Sequence, residues 1–348
     1  MRPSYITLAV TSRCNLRCVM CDHAHGVKKQ DFDEALLDNV GDFIASSQLV
    51  DLTGLGEPMF SELFWRILER YPSRPDMPDS DYFLAFHTNA TLLDPDRTRR
   101  IMASRVSRIK VSIDAPDAEL FDRIRQADLG KIVASVAALI RARNDQGRRM
   151  PGIGIGMTMM RANMRMVPAM IDLAKGMGAD FLEVWPLNGR NDAVAWTIER
   201  KAWTFNYADQ TVDDDPDLPQ IVDDFHRYAE QVGFPIVSNI GTPRVTGDFP
   251  KTVGLISLID GYGFNEIDQP WRESSIRCPL PWQGLNIRYE GDVQSCCWQP
   301  RPIGNIRDAS LESVWIGDGL KELRNDLVEG RVPRACSGAG CAYLKGAP

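Results

Sequence analysis

Three thiols share one short stretch: Cys14, Cys18 and Cys21, within Thr11-Ser12-Arg13-Cys14-Asn15-Leu16-Arg17-Cys18-Val19-Met20-Cys21. Thiolates are the usual protein ligands of iron–sulfur clusters, and compact spacing lets one loop wrap one cluster. A cubane has four irons, so three local thiolates leave one iron without a protein ligand. An open coordination position is where a metal centre does chemistry. Two other readings stay open at this point. One is three core cysteines, although Arg13, Asn15 and Arg17 interleave with the thiols and no apolar stripe continues. The other is a zinc site completed by His23 or His25.

The remaining cysteines form a second set. Of eight, three lie between positions 14 and 21, five between 278 and 341, and none in between. Such clustering reads as metal binding rather than disulfides, with one centre towards each end of the chain. A strand, Leu285-Asn286-Ile287-Arg288-Tyr289, and a turn, Glu290-Gly291-Asp292, lead to Val293-Gln294-Ser295-Cys296-Cys297-Trp298. The hairpin brings Cys278 and Cys296 together. With Cys336 and Cys341 they make four thiolates, enough to ligate every iron of one further cluster; a zinc ribbon is the alternative. Cys297 is left over. It packs beside the cluster, exchanges roles with Cys296 as ligand, or donates a hydrogen atom as a free thiol.

The elements that must position these groups alternate through the first ~190 residues, the pattern of a parallel sheet with crossover helices. Strands are expected at 4–10, 48–54, 82–88, 107–113, 153–159 and 180–186. Helices are expected at 33–46, 62–70, 95–104, 131–146 and 165–177. Barrel-type proteins place their chemistry at the C-terminal ends of strands. The second strand ends in Thr53-Gly54-Leu55-Gly56-Glu57-Pro58, where glycine permits close backbone approach and a carboxylate can accept hydrogen bonds from an ammonium group. The third ends in Phe86-His87-Thr88-Asn89-Ala90-Thr91, and Asn89 either caps the turn or serves the site. In the fourth, Ser112 and Asp114 share a face, and a ligand is their natural partner. The fifth is rich in glycine, from close approach or plain packing. The sixth ends near Trp185, which stacks on a ligand or fills the core.

Cys14-x3-Cys18-x2-Cys21 resembles the signature of the radical S-adenosylmethionine (radical SAM) family. The resemblance implies an α/β fold, a partial (β/α)6 TIM-type barrel. It also implies a 4Fe–4S cluster whose open iron is chelated by the amino and carboxylate groups of SAM. One electron then cleaves SAM to methionine and a 5′-deoxyadenosyl radical, which takes a hydrogen atom from a C–H bond. Gly56 and Glu57 are similar to the family's Gly-Gly-Glu motif, which holds the SAM amino group. Asn89 lies in a segment similar to Thr-Asn-Gly, with Ala90 for the glycine. By the same resemblance Ser112 contacts SAM, Asp114 approaches it, and Arg125 pairs with the SAM carboxylate. Gln126 stands where a glycine is expected, and a solvated helix charge is the alternative for Arg125. Trp185 is a candidate for stacking on adenine or substrate.

The second cysteine set resembles the SPASM extension of that family, through its Cys-x12-Gly-x4-Cys opening and Gly304-Asn305-Ile306. Its cysteines suffice for one auxiliary 4Fe–4S cluster, as in the truncated twitch version. The expected organisation is a radical SAM partial barrel at 1–190, a bridging region with substrate-facing loops at 191–277, and a small C-terminal twitch/SPASM-like domain at 278–348. The bridging region holds the acidic patch Asp213–Asp217, a helix at 219–232, and Gly and Pro clusters with Trp271.

The resemblance further implies an external one-electron reductant of the flavodoxin or ferredoxin type and three possible outcomes: dehydrogenation, epimerisation or decarboxylation. Peptide-modifying members often carry an N-terminal module that grips a leader peptide. With the first strand at about residue 5 there is no room for it, so the expectation is a small polar metabolite in natural-product synthesis. Composition bounds the rest. The 348-residue chain carries a net charge of −7, which disfavours nucleic acid. No apolar run approaches the ~20 residues of a membrane span, and no signal peptide opens the chain, so the expectation is cytoplasmic. A zinc-stapled binding protein without catalysis is the rival from another class.

Overall fold

The computed structural model describes residues 2–70, 83–187, 196–240, 244–248, 273–276, 278–337, 341 and 344. Trp271 and the Gly338-Ala339-Gly340 link between the last two cysteines lie outside them. The chain divides into two units. The first is Met1–Arg13, Lys28–Leu84 and Ile259–Pro348; the second is Cys14–Val27 and Ala85–Leu258.

In the first unit, β1 (Tyr5–Leu8) runs parallel to both β2 (Leu49–Asp51) and β11 (Gly284–Ile287). β12 (Asp292–Gln294) turns back antiparallel to β11, and β13 (Gly304–Asn305) pairs antiparallel to β12. The order is β2-β1-β11-β12-β13. Helices α1 (Leu37–Ser46), α2 (Glu62–Arg70), α9 (Leu280–Gln283), α10 (Leu311–Ile316) and α11 (Asp318–Val328) belong to this unit. The Gly304-Asn305-Ile306 segment has a structural task here. Gly291 turns the hairpin at φ 93°, the Ile306 amide donates to its carbonyl at 2.9 Å, and Asn305 Nδ2 donates to Asp292 at 2.8 Å.

The second unit carries β4 (Val106–Ser112), β5 (Gly152–Met159), β6 (Phe181–Pro186) and β9 (Ile236–Ser238) as consecutive parallel neighbours. β10 (Arg244–Thr246) closes the row antiparallel to β9. β3 (Phe83–Thr88) begins in the first unit and ends in the second. Crossover helices α3 (Pro95–Ala103), α4 (Ala118–Arg125) and α5 (Leu129–Asp145) each start on an aspartate whose carboxylate accepts an amide N–H: Asp94, Asp117 and Asp128. α6 (Val167–Met177) and α8 (Leu218–Val232) stop at Gly178 and Gly233, both left-handed. Between these two helices come a hairpin, β7 (Thr197–Arg200) with β8 (Trp203–Asn206), and the one-turn α7 (Tyr207–Gln210).

The six expected strands and the six expected helices, that at 219–232 included, are present, with ends shifted by a few residues. The helix expected from 165 begins as a 3₁₀ turn at Met164–Met166, and the α-helix starts at Val167, just before Pro168. Asn163 does not cap it; Nδ2 donates to the carbonyls of Asp114 and Thr158. The glycines of β5 are explained by packing. A Cβ on Gly154 would overlap the Phe181 ring, and one on Gly156 would press on the Lys110 side chain.

His226 of α8 is fully buried between two hydroxyls, Nδ1 at 2.7 Å from Thr246 and Nε2 at 2.8 Å from Ser238. Burial, with help from Arg244, holds its pKa down at about 4. An unfolded histidine titrates near 6.5. Its contribution is therefore complete above about pH 6.5 and is lost as pH falls towards 4, because only the unfolded chain takes up the proton. Urea midpoints measured from pH 7 to pH 4.5 should fall in the wild type, with a smaller fall in His226→Gln.

Candidate metal centres

The loop that carries the first three thiols is held by its own backbone. The Cys21 amide donates to the Cys18 carbonyl at 3.0 Å, a 3₁₀ turn follows over Asp22–His25, and Gly26 ends it at φ 88°. The Val19 amide donates to the Ile124 carbonyl at 2.9 Å, which docks the loop on the end of α4. The Leu16 amide lies 3.5 Å from Cys14 Sγ, and two side-chain N–H groups also point at the sulfurs. Arg125 Nη1 lies 3.7 Å from Cys18 Sγ, and Asn89 Nδ2 lies 3.7 Å from Cys14 Sγ.

Both of those residues are themselves fixed. Asp114, fully buried, accepts from Arg125 Nε at 2.6 Å and from the Thr158 amide at 2.8 Å. Asn89 Nδ2 also donates to Asn15 at 3.0 Å, while its oxygen accepts from the Thr91 amide and hydroxyl at 2.9 and 2.6 Å. Asn89 thus both caps its turn and touches the cysteine loop. Arg125 is not a solvated helix charge. Asp114 serves to orient it rather than standing open.

Burial raises the Cys18 thiol, and it pushes Cys21 up to about 12, with neighbouring Cys18 adding to it. Alone, such thiols keep their protons at neutral pH. Iron supplies the positive charge that releases them. Among the described residues, no three His, Cys, Asp or Glu side chains converge on the position of a single metal ion. A cubane asks for something different, since it spreads three thiolates over three irons. His25, one of the two histidines considered for zinc, has its ring against Trp196 at 4.0 Å. The donor set, three sulfurs with N–H groups aimed at them, fits a 4Fe–4S cluster.

Gly56 and Glu57 lie in the first unit with Thr11–Arg13, the residues that lead into the loop. The Glu57 amide donates to the Arg13 carbonyl at 2.8 Å, and Oε1 accepts from Met59 N at 3.4 Å. A Cβ on Gly56 would stand 2.5 Å from Thr11 O, 2.7 Å from Arg13 O and 2.9 Å from Ser12 C. Only glycine fits. In the second unit Ser112 ends β4 half-buried, its backbone in the ladder beside Gly156 and its hydroxyl without a hydrogen bond among the described residues. Trp185 is half-buried, its Nε1 donating to Glu183 at 2.7 Å.

Ala90 and Gln126, which stand where the family resemblance expects glycine, both have φ 59°. The left-handed conformation costs a residue with a Cβ about 1 kcal/mol or more. Gln126 is exposed, so Gln126→Gly should raise stability by about 1 kcal/mol. Ala90 is buried, and Ala90→Gly forfeits a packed methyl worth ~0.8 kcal/mol, leaving it near neutral. Thermal midpoints of the two variants check the difference.

The second set gathers in the first unit. Burial pushes Cys278 up to about 12, and the nearby sulfurs of Cys341 and Cys336 add to it. Burial likewise raises Cys296, helped by Cys297, Cys278 and Cys336, and it takes Cys336 up to about 11. Four sulfurs close enough to feel one another's charge fit one further cluster. Cys278 and Cys336 pack on a small apolar core of Ile276, Leu323 and Leu327. Cys297 is exposed.

The β7–β8 hairpin supplies contacts that sequence reasoning missed. Arg200 Nη2 donates to the Arg17 carbonyl at 2.9 Å, Lys201 pairs with Asp122, and Trp196 just before β7 stacks on His25. Their signal is slight: an arginine and a tryptophan in a stretch without a motif.

Comparison with known proteins places the chain. The model of the Radical SAM superfamily matches residues 8–174, and that of an iron-sulfur cluster-binding domain, SPASM, matches 278–342. The tungsten-containing aldehyde ferredoxin oxidoreductase cofactor-modifying protein of Pyrococcus furiosus is 28% identical over 191 residues, 52% of this chain and 50% of that protein. The AdoMet-dependent heme synthase of Nitratidesulfovibrio vulgaris is 24% identical over 89% of this chain and 78% of its own length. A GTP 3′,8-cyclase of Pelotomaculum thermopropionicum is 32% identical over 35% of the chain and 37% of its own length. The chain thus spans half or less of the first and third of these relatives. Among solved structures, Streptococcus suis SuiB superposes with a TM-score of 0.63 at 15% identity, over 93% of this chain and 68% of that one. The structure of anSMEcpe with bound AdoMet gives 0.62 at 16%, over 99% and 84%. These likenesses bear out the α/β fold class.

Proposed function

The chain belongs to the radical SAM superfamily and ends in a SPASM iron–sulfur domain, and from that premise we propose that it removes a hydrogen atom from a small polar metabolite in natural-product biosynthesis. Its cofactors are S-adenosylmethionine, a 4Fe–4S cluster that binds it, and auxiliary iron–sulfur. When bound, SAM and the cluster supply a 5′-deoxyadenosyl radical able to take hydrogen from carbon.

In this reading Cys14, Cys18 and Cys21 hold the first cluster, while Arg125 and Asn89 steady two of the sulfurs. Gly56 lets the chain before Cys14 close on the second strand end, and the Glu57 carboxylate receives the SAM ammonium. Ser112 offers its hydroxyl to SAM, and Trp185 offers a ring face. Cys278, Cys296, Cys336 and Cys341 hold the auxiliary cluster, and a flavodoxin- or ferredoxin-type partner delivers the electron.

One observation supports a polar substrate. The interior face below Ser112 and Trp185 is charged. Lys110 Nζ bonds Glu183 at 3.0 Å with both side chains nearly buried, and Trp185 Nε1 donates to the same carboxylate. Aminosugars, cyclitols, sugar acids and nucleosides suit such a lining. Supplied in deuterated form, one of these should label 5′-deoxyadenosine. If the label comes only from a deuterated peptide, the reading fails.

Dehydrogenation, epimerisation and decarboxylation all begin with that abstraction. Epimerisation also needs hydrogen returned, and Cys297 is the thiol for it. Cys297→Ala would then lose product while SAM cleavage continued; unchanged turnover leaves Cys297 a packing role.

A second reading, peptide modification, is favoured by the similar structures. One holds SuiB with the precursor peptide SuiA, at a TM-score of 0.60, and another holds anSMEcpe with the Cp18Cys peptide, at 0.61.

A further inference from the structure

The strand ends of the second unit form a row on the interior face. Register sets Ser112 beside Gly156, Gly156 beside Glu183, and Glu183 beside Val237. Two residues further along, Thr158 pairs with Trp185. The same register carried on by one step puts Trp185 beside Asn239, whose backbone N–H donates to the Val184 carbonyl at 2.9 Å. The opposite face confirms the direction. Ser238 Oγ meets His226 of α8, so its successor turns away from that helix, towards the side that carries Glu183 and Trp185.

On that side both polar atoms of the Asn239 side chain, Oδ1 and Nδ2, are shut off from solvent and have no hydrogen-bond partner among the described residues. A buried donor and acceptor left unmade are costly, and native proteins rarely keep them without a use. The charged groups beneath it are paired, although among the described residues Glu183 Oε2 has only the Lys110 ion pair and no hydrogen bond. Lys110, Glu183 and Trp185 hold one another, with Lys110 Nζ also 5.9 Å from the Trp185 ring centroid. The carboxamide is neutral and offers one oxygen acceptor beside N–H donors.

We propose that Asn239 is a substrate-binding residue, its carboxamide taking one acceptor and one donor from adjacent substrate groups, such as the vicinal hydroxyl and amino groups of an aminosugar lying against Trp185. This rests on the reading of the chain as a radical enzyme for small polar metabolites.

Asn239→Leu in the SAM-loaded holoenzyme tests it. Removal of an unmet buried donor and acceptor should raise Tm by about 2–4 °C. By equilibrium dialysis, affinity for SAM should stay within about twofold, and affinity for the probe D-glucosamine should fall about 10- to 100-fold. A lower Tm would mean that the side chain holds the fold, which overturns the assignment whatever the probe does. Parallel loss of SAM affinity would overturn it too, by placing Asn239 at the cofactor. Deuterated glucosamine and a deuterated serine tetrapeptide, each given to the wild type, separate the underlying reading. If only the peptide labels 5′-deoxyadenosine, the small-metabolite reading falls, and Asn239 is judged on that peptide. Unchanged peptide affinity in the variant would then overturn it.

Discussion

Cys18→Ala protein should form no 5′-deoxyadenosine above background when given SAM and dithionite. Cys18 is the most enclosed of the three loop thiols, 8% exposed, with the Arg125 guanidinium beside its sulfur. Changing a group that merely orients a metal ligand costs about 10–100-fold in affinity or activity. Removing the ligand costs more, because an iron then lacks its thiolate and the loop has only two left. The same result is expected for Cys14→Ala and Cys21→Ala, whereas Arg125→Met should fall in the 10–100-fold range. Chromatographic assay of 5′-deoxyadenosine reads all four. Undiminished cleavage in any cysteine variant would refute that residue's assignment.

Gly56→Ala is expected to be nearly as damaging, by a different route. The added methyl would sit 2.5–2.9 Å from the backbone of Thr11, Ser12 and Arg13. Backbone cannot rotate out of the way as a side-chain tip can, so the chain entering Cys14 must move. A displacement of about 1 Å at a reacting centre can cost about 100-fold. The Glu57 amide would lose its 2.8 Å bond to Arg13 as well. Gly176→Ala is the control. Gly176 lies in α6 with nothing within 4 Å of an added Cβ, so alanine there should stabilise by about 1 kcal/mol and leave cleavage unchanged. Equal losses in the two variants would remove the steric argument.

The cysteine loop was legible because its chemistry is local: spacing alone puts three thiols in one short loop. The long strands and helices were legible because their periodicity runs over many residues. β9 and β10 were not. Each has three residues, too few to show alternation, and they sit in a stretch read as a bridge between domains. α4 went unread although Asp117 caps it and Phe121 and Ile124 form its buried side. Arg125 was found by resemblance, but its tie to Asp114 needs two strands and a helix to be in place. Ala90 and Gln126 looked like departures from a motif; the backbone shows both in the left-handed conformation that favours glycine. Asn239 carried no sequence signal, since its interest lies wholly in what surrounds it.

Metal content tests the central claim most directly. Anaerobically purified wild-type protein should be brown, with about eight irons and about eight sulfides per chain, and the double variant Cys278→Ala/Cys296→Ala should keep about four of each. Stoichiometric zinc in a colourless, folded sample would contradict the account.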